Sequence, residues 1–140
     1  MMLRDRLVYA GAAAACGTTL AIASQLDPAA RGFGTHQQLG FGPCGFLALT
    51  GFPCPSCGLT TAFAWAIRGE FLRAIEVQPF GLLLFAAFCF SIPLALVLMW
   101  RGVPITRWLG IDRAARASYA VLGLYGLGWI YKLAVFPWNS

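Results

Sequence analysis

Charge is scarce in this chain. Asp, Glu, Lys and Arg make up 11% of its 140 residues, where an ordinary soluble domain carries about 25%. A short soluble protein leaves much of its chain at the surface and needs polar groups to cover it. This one has too few, and its hydrophobic fraction is 59%, above the roughly 45–50% usual for soluble domains. Lipid must therefore solvate much of it. Also lacking are a nucleotide-binding loop, an internal repeat, a low-complexity tract and a Pro/Ser-rich linker, so one membrane domain over residues 1–140 is expected. Predicted spans carry no charge near their middle, which disfavours a pump or ion-coupled transporter.

The net charge is +5, but the basic residues sit at the ends of apolar runs. No groove of interleaved aromatic and basic residues is visible, so nucleic acid is excluded as a partner. The arginines read instead as topology determinants that meet anionic headgroups. The lipid bilayer is the expected partner, with a membrane protein as a further candidate.

Three apolar runs are long enough to span: residues 7–26, 79–100 and 117–136, the last bounded by Arg116 and by Pro137-Trp138. About twenty residues at 1.5 Å rise cross a hydrocarbon core of roughly 30 Å. Such segments should be helical, because lipid cannot satisfy open backbone groups. The expected fold is thus an all-α membrane protein of about three transmembrane helices. The first run also resembles a signal peptide, with Arg4 and Arg6 ahead of it and Ala21-Ile22-Ala23 near its end. It exceeds the roughly 7–15 residues of a signal core and is read as a retained helix. Small residues at Gly11, Ala14, Ala15, Thr18, Gly123 and Gly126 mark places where helices could pack closely within the molecule. Cys16 and Cys89 read as membrane-buried free thiols.

An N-terminus inside the cell places Arg4, Arg6, Arg101, Arg107, Arg113 and Arg116 in the cytoplasm. Arg31, Arg68, Arg73 and Lys132 then lie outside or at the far interface. Six basic residues against four favour that orientation, in a multi-pass protein of the inner or plasma membrane.

A fourth apolar stretch, 46–67, is interrupted by Gly51, Pro53, Pro55 and Gly58. Two prolines with flanking glycines break a continuous helix there. The expectation is a re-entrant or interfacial hairpin over about 41–78, with a turn at 51–58 and a short helix over 59–67. A further amphipathic turn then leads to Gln78-Pro79, where proline suits the first turn of the next helix. Glu70 and Arg73, three apart, can pair on an interfacial face, and Arg68 or Arg73 could meet a lipid phosphate.

That hairpin carries the chemistry. Cys54-Pro55-Ser56-Cys57-Gly58 brings two thiols to one side of a turn, just before the helix opened by Leu59-Thr60. Amides at a helix start should lower the thiol pKa values. Three readings stand open. The leading one is a non-enzymatic accessory or partner-binding component whose cysteines shape the hairpin. The second is a membrane thiol–disulfide oxidoreductase using Cys54 and Cys57, with Cys44 as a resolving thiol, on a face oxidising enough to keep a disulfide. Against it, no acid–base partner and no thioredoxin-like alternation of strand and helix are visible. The third is a zinc site from Cys44, Cys54, Cys57 and His36, since Cys-Pro-x-Cys-Gly is also a zinc knuckle and structural zinc takes four ligands. Zinc is the one cofactor in question, and His36, between Thr35 and Gln37, reads equally as a solvated loop residue.

The ordered motifs Cys44, Leu49-Thr50-Gly51, Cys54-Pro55-Ser56-Cys57-Gly58-Leu59-Thr60-Thr61-Ala62, Arg68-Gly69-Glu70 and Gln78-Pro79 resemble a family of small bacterial membrane proteins, domain of unknown function twenty-seven fifty-two. The resemblance implies a membrane location and a single cluster of Cys44, Cys54 and Cys57. It names no reaction. Thr61 stands where such proteins usually carry arginine, and Gln78 where they usually carry asparagine, so any role of that arginine is absent or met differently here.

Overall fold

The computed structural model describes residues 3–105 and 111–136; Arg107, Pro137 and Trp138 lie outside the described residues. The described residues are helical, with no strand among them. Six α-helices run in order: α1 Leu3–Gln25, α2 Gly45–Thr50, α3 Leu59–Ala66, α4 Phe71–Val77, α5 Pro79–Trp100 and α6 Ile111–Val135. A 3₁₀ turn, Thr35–Leu39, lies in the connection from α1 to α2.

Two helices, α1 and α5, are long and apolar enough to cross a membrane. In each, only 11% of the apolar window is buried within the chain. Their outer faces carry Leu7, Ile22, Leu83, Phe90 and Trp100 in the open. They pack antiparallel: Tyr9, near the start of α1, donates to the Val103 carbonyl just past the end of α5 (3.2 Å). Pro79 opens α5 at its first turn, where a missing N–H costs nothing. α6 has the length of a span, but it falls short of the apolarity of α1 and α5. Its first turns carry Asp112, Arg113 and Arg116, its last turn Lys132, and one face of it is committed to polar contacts described below.

The helix after the proline–glycine break, α3, is the centre of the molecule. Thr61, Ala62, Phe63, Ala64 and Ala66 are all buried. Alanine at 62 and 66 lets α1, α4 and α5 come close. Phe63 meets Phe85 and Phe88 edge to face at 5.6 and 5.5 Å, a favoured aromatic geometry. The tightest helix approach falls at Gly81, where an added Cβ would lie 2.7 Å from that of Ala62. The glycines marked in the sequence, Gly11, Gly123 and Gly126, face open space instead. Close packing needs a neighbour of matching shape as well as a small residue, and those three have none here. Cys16 is half-buried and accepts a hydrogen bond from Ser91, whereas Cys89 is exposed.

Candidate thiol site

Between α1 and α5 the chain builds a cap from two loops and three short helices. Gly51, with φ 72°, ends α2. The cysteine turn follows, closed by the Cys57 N–H donating to the Cys54 carbonyl (2.9 Å). Gly58, with φ 92°, then starts α3. Only glycine serves at 58. The backbone is left-handed there, and a Cβ would stand 2.8 Å from the Gly32 carbonyl and 3.1 Å from the Lys132 Nζ.

The turn is held from below by α6. Trp129 Nε1 donates to the Pro53 carbonyl (2.9 Å), and Tyr125 shares a hydrogen bond with Ser56 (2.8 Å). Lys132, 3% exposed, donates to the carbonyls of Gly32 (3.1 Å) and Val77 (3.2 Å). It thereby joins the loop after α1 to the end of α4, directly under Gly58. Gln78, fully buried, donates to the Pro55 carbonyl (3.3 Å), while its Oε1 has no partner among the described residues. The other wall is the 3₁₀ turn, tied to α3 by a buried Thr35–Thr61 hydroxyl pair at 2.8 Å. The Ala29 N–H donates to the Thr35 hydroxyl as well (3.0 Å).

These walls enclose a cavity of about 220 Å³ lined by His36, Cys44, Cys54, Cys57, Gly58 and Thr60 among others. A second cavity of about 270 Å³, which adds Arg31 and Phe33, shares His36, Cys44 and Cys57 with it. The three cysteines and the histidine singled out in the sequence therefore meet in one place. All three thiols are free; Cys44 and Cys54 are half-buried and Cys57 is buried. The three thiols are near enough to influence one another, and Cys54 interacts with both of the others. No group of three or more His, Cys, Asp or Glu among the described residues is drawn together tightly enough to hold a metal ion.

The lowering expected at the start of α3 does not reach Cys54 or Cys57. Burial pushes the Cys57 thiol up to about 11, the neighbouring Cys54 adds to the rise, and the Lys132 ammonium only partly opposes it. Burial and the Cys44 thiol likewise raise Cys54. Cys44 moves the other way. Its own partial burial works against ionisation, but the backbone N–H groups of Leu47 and Phe46 and the Cys54 thiol together outweigh it. The thiol most readily ionised is thus Cys44, outside the Cys-x-x-Cys pair.

The remaining motif residues lie apart from the cavity. Arg68 pairs with Asp27 (3.6 Å) and donates to the Ala64 carbonyl (2.8 Å). Gly69, with φ 81°, turns the chain after α3, and Pro79 opens α5. Arg73 pairs with Glu70 at 3.8 Å, the contact their spacing predicts, and lies over the Trp65 ring. Both arginines offered for a lipid phosphate already have partners within the chain.

Residues 44–92 match the model of a family described as a protein of unknown function, DUF2752. The match covers 49 of the 140 residues. The resemblance read from the cysteine, Arg-Gly and proline motifs is borne out over it. The matched segment supplies α2, the cysteine turn, α3, α4 and the first part of α5. His36, Thr35 and the supporting face of α6 come from outside it. Position 61, an arginine in the motif as read from sequence, is a threonine with no exposed surface, bonded inward to Thr35. No curated protein and no solved structure matches the chain.

The residues that sequence reading missed are Lys132, Trp129, Tyr125 and Thr35, while Gln78 was read only as a motif position before the next helix. A signal existed for three of them. Positions 125, 129 and 132 recur at helical spacing and share one face of α6, and a lysine inside an apolar run is expensive unless it has work there. Reading Lys132 only as a topology charge hid that face.

Proposed function

We propose that this chain is a multi-pass membrane protein whose hairpin between α1 and α5 carries a thiol–disulfide exchange site formed by Cys44 and Cys54. The observation that carries this is the meeting of the two thiols in one cavity, with Cys54 next to both Cys44 and Cys57. A structural role for the cysteines is less economical. The turn is already pinned by Trp129, Gln78, Tyr125 and Lys132, so it needs no disulfide to keep its shape. Cys44 is the attacking thiol: it is partly exposed, and its thiolate is favoured. Cys54 closes the disulfide, and Cys57 stays protonated beneath it.

On this reading α6 is the third span and the hairpin is a re-entrant or interfacial element at one membrane face. The N-terminus is cytoplasmic, because Arg4, Arg6, Arg101, Arg113 and Arg116 all fall near the helix ends remote from the cysteines. The cysteines then face an oxidising compartment, outside the inner or plasma membrane of a bacterium.

The test is equilibration of purified protein in glutathione buffers of graded potential, with intact mass after alkylation. Cys44 and Cys54 should lose their thiols together, and Cys44→Ser should abolish the transition while Cys57→Ser leaves it. Three thiols that persist across the whole range would defeat the reading. A second reading, a non-enzymatic accessory component, is favoured by α2, which has no buried residue and exposes Phe46 and Leu49 as a surface for a membrane protein partner. It predicts that Cys54→Ser and Cys57→Ser lower the yield of folded protein and change nothing else.

A further inference from the structure

Beside the thiol cavity lies a different one, of about 330 Å³, between α1, α3 and α5. Its lining is apolar apart from Thr19 and Thr60, and includes Ile22, Leu26, Phe63, Leu84 and Phe88. Thr60 lines both cavities. Its side chain makes no hydrogen bond among the described residues, so the hydroxyl is free to serve a guest. Leu84 and Phe88 are five and nine residues into α5, about 8–14 Å below its start at 1.5 Å per residue. If α5 spans, that depth is hydrocarbon, and a molecule reaching the cavity comes from the membrane.

We infer that this cavity binds the ring of a lipid-soluble quinone, which accepts electrons from Cys44 and Cys54. The inference rests on the thiol–disulfide reading and names the electron acceptor for it. A volume above about 300 Å³ with few polar groups is the form of a small-molecule site. The Phe63 and Phe88 rings offer apolar walls to a flat guest, and Thr60 can donate to a quinone carbonyl at the edge nearest the thiols. A plain acyl chain would have no use for that hydroxyl or for the adjoining thiol cavity.

The reaction balances. The Cys44 and Cys54 S–H bonds break and an S–S bond forms, releasing two electrons and two protons. The quinone takes up both, and its two carbonyl oxygens become the hydroxyls of a hydroquinone. Exchange with an extracytoplasmic dithiol then returns the protein to its two-thiol form.

The experiment uses reduced full-length protein in detergent with decylubiquinone, whose ring has no free position for simple thiol addition, and a protein-free control with the same thiol concentration gives the background. Quinone loss and disulfide formation are followed together, and glutathione disulfide serves as a water-soluble acceptor in parallel. One quinone should be reduced per disulfide formed. Thr60→Val, which removes one hydrogen bond, should slow quinone reduction by about tenfold. Leu84→Trp, which fills the cavity, should slow it at least as much. Leu84→Trp, which lies outside the thiol cavity, should still be oxidised by glutathione disulfide at the parent rate, which also shows that its thiol site is folded. Oxidation by glutathione disulfide without quinone reduction, or quinone reduction untouched in both variants, would overturn the quinone site and leave the thiol site standing. Oxidation by neither acceptor would overturn both.

Discussion

The residues that matter most at the cysteine turn are those that fix its backbone and those that fix its protonation. Gly58→Ala puts a side chain on a left-handed residue, which alone costs about 1–2 kcal/mol. It also pushes a Cβ against the Gly32 carbonyl and the Lys132 ammonium. Thermal unfolding in detergent should therefore show a clearly lower midpoint for Gly58→Ala, while Gly11→Ala, at a site with open space, should be near neutral. The three thiols should also separate by pH. At pH 8 a thiol pushed up to about 11 is ionised only about one time in a thousand, so Cys57 should be the last of the three to alkylate and Cys44 the first. Cys57 has a stability consequence too. Its folded value lies above the ordinary 9.0, so its contribution is fully present below pH 9 and lost as pH rises toward 11. Chemical denaturation across that window should show the folded state weakening, and Cys57→Ser should flatten the trend.

At the scale of elements, much was legible because proline and glycine punctuate the chain clearly. The turn at 51–58, the short helix after it, the amphipathic turn before Gln78 and the start of α5 at Pro79 all follow from local chemistry, and all are found. What escaped was nonlocal. Nothing near Thr35 in sequence foretells its bond to Thr61, twenty-six residues on. Nor do the spaced alanines at 62, 64 and 66 announce that α3 will be the most enclosed helix. α2 was missed for a related reason: a six-residue helix with no buried side chain leaves no hydrophobic periodicity to read. α6 misled most. Its apolar residues masked a face made of Tyr125, Trp129 and Lys132, and that face is what holds the cysteine turn. Trp129→Phe keeps an aromatic ring but removes the bond to the Pro53 carbonyl and part of the indole's bulk, so it should cost about 0.5–1.5 kcal/mol for the bond plus a small packing loss. Lys132→Met leaves two carbonyls without a donor in a closed site and should cost more, about 1–3 kcal/mol for each group stranded. Thermal midpoints of the two variants, compared under one detergent, check that order.

For the whole molecule, the decisive arrangement is that of its two ends. α1 and α5 are antiparallel, and the lower half of α6 lies against the start of α5 through Phe80 and Tyr125, whose rings are 5.4 Å apart. Arg4, Arg6 and Arg101 therefore sit at one end of the bundle and the thiols at the other. If α1 and α5 cross a bilayer, the thiols are separated from those arginines by its full thickness, whatever α6 does. Orientation then depends on which end stays in the cytoplasm, and the arginine end is favoured because basic residues near spans resist export. Labelling of intact cells gives the answer. With the native cysteines at 16, 54, 57 and 89 replaced by serine, so that Cys44 cannot enter a disulfide within the chain, a membrane-impermeant maleimide should reach Cys44 from outside. In a variant lacking the hairpin thiols but carrying Arg101→Cys, it should react only after the membrane is permeabilised. Equal labelling of both sites from outside would mean that α1 and α5 do not span. The reverse pattern would keep the spans and invert them, placing the thiols in a reducing compartment where a stable disulfide has no place.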